Sequence, residues 1–316
     1  MSAQWNERPE AGGRFAVWLL TTMALHLGRG FMRAMLYPLT LCAFLRRGPE
    51  RRDSRAFLTR ALQRPASSWQ VLRHLHAYAA TILDRAFLLS DTNMQRFDIR
   101  VSGLDQLDAE MARGHGVLLL GAHIGSFEAL RALTMQRPDV QLRVVMDLQV
   151  THALNASLHA LNPAIAANVI DAGVDPVALA LALQEAANQG ALIGLLADRS
   201  RPGETTAQAD FFGAAADFPV APYLIASMLG LPVVLAFGIY RGGNRYDLHF
   251  ETFAQNIKIP RGARAEHLQA YAQRYAARLE HYTRLDPYNW FNLYDFWHRS
   301  AEQPAARRKS AAVGAG

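Results

Sequence analysis

Three observations predict an α/β fold: a mostly parallel central sheet flanked by helices, preceded by an N-terminal helical extension. Short apolar runs such as Gly116-Val-Leu-Leu-Leu-Gly-Ala122 and Ala191-Leu-Ile-Gly-Leu-Leu-Ala197 lack polar alternation, the mark of strands covered on both faces. From residue 91 onward such runs alternate with segments of helical period. Residues 1–90 carry helical patterning instead and form the expected extension; residues 91–300 form the α/β domain, and the Arg- and Ala-rich residues 301–316 a disordered tail.

Composition narrows the class. At 316 residues with 51% apolar side chains and a mean hydropathy of −0.02, the chain is neither disordered nor a multi-span membrane protein. Its net charge of +6 comes almost wholly from arginine, since Lys258 and Lys309 are the only lysines. That excess suits phosphate-bearing partners or an anionic lipid surface, and an Arg-rich genome bias accounts for it equally well. Cys42 is the only cysteine, which excludes an internal disulfide and a Cys-based metal site and points to a reducing compartment. No secretory signal is visible.

Within the extension, Phe15 to Gly28 is uncharged and apolar, Arg29, Gly30 and Arg33 interrupt it, and Ala34 to Leu45 resumes with Pro38 inside. Neither piece reaches the ~20 residues of a spanning helix. Flanking Trp5, Trp18, Arg14, Arg46 and Arg47 favour an interfacial hairpin or shallow membrane anchor over a helix pair packed on the domain. Arg51 to Gln63 reads as a helix, and Ser67-Ser68-Trp69 opens a longer one through Leu89.

The domain follows in order. A strand near Phe97 to Val101 and a helix from Leu104 to Arg113 lead to the strand His115 to Gly121, and a helix from Ser126 to Gln136 follows. Next come a strand at Leu142 to Met146, a helix near Ala153 to Leu161, a short strand at Asn168 to Ile170, a helix from Pro176 to Asn188 and the strand Ala191 to Ala197. Ser200 to Asp217, rich in small residues, reads as a loop long enough for a functional role. Phe218 to Tyr240 has no charge, but Pro219, Pro222, Gly230 and Pro232 cut it into a buried helix and a strand. A β region around Tyr246 to Phe253 and a helix from Ala263 to Arg284 complete the domain.

The chemistry concentrates after the strand ending at Gly121. A chain with 11 His and 27 acidic residues holds about one His-x4-Asp/Glu pair by chance. This one holds two. His281 and Asp286 lie in a charged amphipathic stretch and read as a solvated helix face. His123 and Glu128 instead follow a buried strand, where α/β enzymes keep their sites. In a continuous helix the two would point about 140° apart, so they converge only if His123 precedes the first turn, a bend that Gly121 and Gly125 permit. A base with a carboxylate partner suits acyl transfer to a hydroxyl: imidazole takes the alcohol proton while the acid fixes its tautomer. Backbone N–H groups near Gly125 or an arginine are the candidate oxyanion donors. Ser126 reads as a helix cap in preference to a nucleophile. Gly-rich nucleotide loops, HExxH and Gly-x-Ser-x-Gly are missing.

The block Gly121-Ala-His123-Ile-Gly-Ser-Phe-Glu128 resembles the His-x4-Asp/Glu motif of the glycerolipid and lysophospholipid acyltransferase superfamily, in the branch of late acyltransferases of lipid A synthesis. Ala197-Asp198-Arg199, and Ala209-Asp-Phe211-Phe212-Gly213 followed by Asp217-Phe-Pro219-Val-Ala-Pro222, agree with that branch in order and spacing. The resemblance implies that His123 is the general base and Glu128 its partner. It places Gly125, Ser126, Asp198 and Arg199 on the substrate side, Arg199 against a phosphate or polar headgroup, with Phe211, Phe212 and Gly213 bordering the acyl or acceptor pocket. For Arg199 an ion pair with a carboxylate, and for the phenylalanines plain core packing, are the alternatives.

It further implies an acyl carrier protein or coenzyme A thioester as donor, a lipid A-like, glycolipid or polyene-lipid acceptor, and work on the cytoplasmic face of a bacterial inner membrane. Neither a cofactor, a metal nor a nucleic acid is expected. The aromatic ending Pro287-Tyr-Asn-Trp290-Phe-Asn-Leu-Tyr-Asp-Phe-Trp297 resembles a different bacterial branch, found near pigment and unusual-lipid pathways, which leaves the acceptor open; it serves either as a membrane-interface belt or as a closure of the domain. A thioesterase with water as acceptor, and an inert carrier- or membrane-binding protein, are the rival readings.

Overall fold

The computed structural model describes residues 27–148 and 162–297, apart from residues 138 and 202. Its first helix, α1 (Arg29–Arg46), runs without a break through Pro38. The chain breaks at Gly28 (φ +80°), directly ahead of Arg29, while Arg29 and Arg33 lie within the helix and turn their guanidinium groups onto the buried carboxylate of Asp84. Helices α2 (Gly48–Leu62) and α3 (Ser68–Leu88) follow as read from the sequence. At the start of α3, Ser67 Oγ accepts the Gln70 N–H while Gln70 Oε1 accepts the Ser67 N–H, a capping box that satisfies two orphan donors. A single turn, α4 (Asp91–Met94), leads into the sheet.

Seven strands form that sheet: β1 (Asp98–Ser102), β2 (Val117–Gly121), β3 (Leu142–Met146), β4 (Val169–Asp171), β5 (Leu192–Leu196), β8 (Val233–Tyr240) and β9 (Arg245–Ala254), in the order β1-β9-β8-β2-β5-β3-β4. Five run parallel; β9 is antiparallel to β8, and β1 follows β9. Around them lie α5 (Leu104–Met111), α6 (Arg131–Gln136), the short α7 (Pro163–Ala166), α8 (Pro176–Asn188), α9 (Ala221–Leu229) and α10 (Arg264–Leu285). The side chains of β2 are wholly buried and alternate between two cores. Leu118 and Leu120 face a core built with α2, α8 and α10, through Phe57, Leu183 and Leu279. Val117 and Leu119 face a second, with Met32 of α1 and Leu83 of α3.

Two expectations change, and an open one narrows. Ser200 to Asp217 is no loop: β6 (Thr206–Phe211) and β7 (Ala214–Pro219) pair as an antiparallel hairpin with Phe211 and Phe218 buried beneath it. Its two-residue turn puts both Phe212 (φ 52°) and Gly213 (φ 72°) in the left-handed region that such turns demand. Glu280 accepts the Phe212 N–H and Asp210 the Gly213 N–H, which holds the aromatic residue in that unusual conformation. The helix expected from Ser126 begins instead as a 3-10 turn, Phe127–Leu130, before α6. The aromatic ending closes the domain: Trp290, Phe291 and Phe296 are buried. The helix expected near Ala153 to Leu161, the C-terminal tail, Trp5, Arg14, Trp18 and most of Phe15 to Gly28 lie outside the described residues.

Candidate active site

Strands β2 and β5 are central neighbours with Gly121 opposite Leu196, so both release the chain at the same edge. His123 leaves the first and Asp198 the second. There the Ala197 N–H donates to Gly121 O at 3.0 Å and the Tyr275 hydroxyl, from α10, to the same carbonyl at 2.7 Å. The Asp198 carboxylate, fully buried, faces three N–H groups. Oδ1 takes His123 Nδ1–H at 2.8 Å; Oδ2 takes the His123 backbone N–H at 3.1 Å and the Trp290 indole N–H at 3.0 Å. A carboxylate only accepts, so Nδ1 carries the proton and Nε2 keeps its lone pair. The imidazole side chain is 33% exposed and presents that lone pair to whatever binds at the sheet edge.

The expected pairing of His123 with Glu128 is therefore made by Asp198. Glu128 turns to other partners: Oε2 accepts the Ser126 hydroxyl at 2.8 Å and Oε1 lies 2.5 Å from Arg85 Nε of α3. Local spacing suggested the nearer acid; sheet register brings in the one 75 residues away. Trp290, the third member, escaped the sequence reading because its only signal was membership of an aromatic run.

The loop His123–Ser126 is fixed on both sides. Phe291 N–H donates to His123 O at 2.8 Å and Gly125 N–H to Asn289 O at 2.9 Å, while Ser126 N–H donates to Gly238 O at 2.8 Å. Gly125, at φ +56°, passes so close to β8 that a Cβ there would stand 1.9 Å from Gly238 O. No other residue fits. Because the N–H groups of Gly125 and Ser126 are both engaged, neither is free to meet an oxyanion, and the arginine alternative gains. Arg199 donates to Phe291 O and packs over the Tyr294 ring at 5.6 Å. Arg199 and Arg85 both bear electrostatically on His123.

Burial is the largest influence on His123 and lowers its pKa below the usual 6.5; Arg199 lowers it further, against the opposing pull of Asp198. The ring is neutral and basic at physiological pH. Burial alone would raise the Asp198 carboxyl, but in the acid range where it titrates His123 is protonated, and the charge and hydrogen bond of that imidazolium, then Arg199, outweigh burial and bring the group down to about 2.

Phe211 and Phe212 pack in the core: Phe211 meets Trp290 edge-on at 5.1 Å and Phe212 meets Phe57 at 6.0 Å, while Gly213 sits exposed at the hairpin tip. They support Trp290 from behind. A cavity of about 290 Å³ lies elsewhere, along β3 and α6, lined by Phe127, Glu128, Arg131, Leu142, Val144 and Met146 among others. Glu128 thus stands at its wall, with Ser126 of the His123 loop on one carboxylate oxygen. Among the described residues no three His, Cys, Asp or Glu side chains converge as a metal ion would need.

A mixed, mainly parallel sheet thus places an imidazole and a buried carboxylate at the carboxyl ends of its central strands, an arrangement able to take up and return a proton. The chain belongs to the bacterial lipid A biosynthesis acyltransferase family, whose pattern matches residues 70–299. It is an acyltransferase. No curated protein matches it closely enough to count as a relative.

Proposed function

We propose that this acyltransferase moves a fatty acyl chain from an acyl carrier protein or coenzyme A thioester to a hydroxyl of a lipid acceptor, lipid A-like, glycolipid or polyene-lipid, at the cytoplasmic face of an inner membrane. The observation that carries the chemistry is the 2.8 Å bond between His123 Nδ1 and a fully buried Asp198. His123 Nε2 takes the proton of the acceptor hydroxyl as its oxygen attacks the thioester carbonyl. Asp198 holds the tautomer and stabilises the imidazolium. Arg85, steadied by Glu128, or Arg199 meets the oxyanion. The carbon–sulfur bond then breaks, and the departing thiolate takes the proton back from Nε2. The apolar cavity beside Glu128 suits the hydrocarbon of the acyl chain.

Helix α1 supports the membrane part of this reading. Arg29 and Arg33 point inward, whereas Leu27, just ahead of the helix, and Phe31, Met35, Leu39 and Leu45 stand exposed. A helix that turns two of its three arginines inward, keeps the third, Arg46, at its end and shows its apolar side chains suits a lipid surface better than water. Among the described residues no helix is long and apolar enough to cross a membrane.

Purified protein supplied with an acyl thioester and membrane lipid should form an acylated lipid, and His123→Ala should not. Equal acyl release with the lipid omitted would make the enzyme a thioesterase instead. Lipid analysis of cells lacking the gene identifies the acceptor from the species that disappears.

A further inference from the structure

His74, in the middle of α3, is completely buried, and nothing in the chemistry above uses it. Its Nε2 lies 3.0 Å from Trp290 O and its Nδ1 2.8 Å from Ser54 Oγ of α2. A carbonyl only accepts, so Nε2 bears the hydrogen; Nδ1 then holds the lone pair and Ser54 donates to it. Phe57 and Phe291 pack against the ring, with centroids at 5.5 and 6.1 Å. The cavity along β3 and α6 does not reach it.

The residue it holds is the one on which the site turns. Trp290 gives its indole N–H to Asp198, and its chain neighbours Asn289 and Phe291 clamp Gly125 and His123 through their backbones. A displacement of the Trp290 main chain therefore moves the donor to Asp198 and both clamps on the His123 loop together. Four hydrogen bonds run in series, from Ser54 to His74, to Trp290, to Asp198, to His123.

We propose that His74 is a positioning residue for the His123–Asp198 pair, acting through Trp290, so that the seating of α2 and α3 sets the basicity of His123. Its part in turnover rests on the acyl-transfer reading, but its effect on the pair does not. Losing the His74 bond loosens Trp290 and weakens the indole donation to Asp198. The carboxylate then holds more of its charge for the imidazolium, and water nears the ring; both raise the pKa of His123. The charged groups that bear on His123 are Asp198, Arg199 and Arg85, and a substitution at position 74 touches none of them.

The test is NMR of the full chain labelled at histidine and tryptophan. His74→Leu should move the Trp290 indole N–H resonance and raise the His123 titration by about half a unit to one unit. His74→Gln, which can still donate to Trp290 O and accept from Ser54, should restore both. Ser54→Ala, which removes only the outermost bond, should give the same shifts at smaller size, and it decides the matter if His74→Leu does not fold. Unchanged indole and His123 signals in folded His74→Leu, or in Ser54→Ala should it alone fold, would overturn the proposal. No substrate enters these measurements, so a wild-type protein without transfer activity would sink the functional reading and leave this result standing by itself.

Discussion

Two aspartates, Asp84 and Asp198, are equally buried and built for opposite purposes. Asp84 faces permanent cations: Arg29 Nε at 2.7 Å and Arg33 Nη1 at 3.2 Å, with the Tyr246 hydroxyl at 2.9 Å. Asp198 faces three N–H groups, of which only the imidazole can change charge. A carboxylate neutralised by two guanidinium groups has little left to offer a proton in transit. It is a staple, and it ties α1 to the domain. A carboxylate surrounded by neutral donors keeps its field for the one neighbour that titrates, which is what an acid supporting a general base requires. The same side chain is structural or chemical according to whether its partners can lose a proton.

Breaking each aspartate should separate the two roles. His123→Ala and Asp198→Asn should lower acyl transfer by about 10²–10⁴-fold, read by initial rates; Asp198→Asn also leaves a buried N–H donor unmatched, at a cost of about 1–3 kcal/mol in denaturant titration, smaller than its effect on the rate. Asp198→Asn should also drop the His123 titration further, because the influence that raises it is gone. Asp84→Asn should do the reverse. It strands Arg29 and Arg33, whose side chains are 15% and 18% exposed, without a countercharge, at a cost of about 3–5 kcal/mol in unfolding free energy. Transfer per folded molecule should stay within about threefold of wild type, since no group near His123 is touched. A large loss of rate at full folding in Asp84→Asn would erase the contrast.

His74 sharpens the comparison as a buried group kept neutral. Burial, partly offset by its bond to Trp290 O, lowers its pKa from 6.5 to about 4. The unfolded chain therefore binds a proton between these values and the folded protein does not, so this contribution is complete above pH 6.5 and is lost as the pH falls toward 4. The difference amounts to something on the order of 3 kcal/mol. His123, also lowered, adds in the same direction. Chemical denaturation from pH 7 to pH 4 should show stability falling along this window, and His74→Gln should flatten much of the slope. A His74→Gln protein as acid-sensitive as the wild type would mean that other groups carry it.

Much of the fold was legible because its signals are local. Strand β3 at Leu142–Met146 and α8, the mostly Ala and Leu segment Pro176–Asn188, coincide to the residue with the segments the sequence marks. The hairpin β6–β7 was not legible, since its strands are full of alanine and its turn uses Phe212 at a positive φ that no propensity favours. The site divides in the same way. His123 and the bend around Gly125 follow from a glycine-flanked motif after a buried strand. The carboxylate that serves His123 follows β5 and is brought in by the order of strands in the sheet, and the indole comes from residue 290, seated by a bridge between Ile124 and Trp290.

Glu128 offers the finest test of that division. Its carboxylate is shared between Ser126 and Arg85 at the wall of the apolar cavity, and it does not figure among the groups that set the His123 pKa. If it steadies Arg85 for the oxyanion, Glu128→Gln should cost about 10–100-fold in transfer, less than loss of the base. The His123 titration should stay close to that of the wild type. If Glu128 were instead the acid that serves the ring, Glu128→Gln would move that titration as Asp198→Asn does. Rate alone would not distinguish the two carboxylates; the pH profile does, because only the acid in contact with the imidazole alters how tightly it holds a proton.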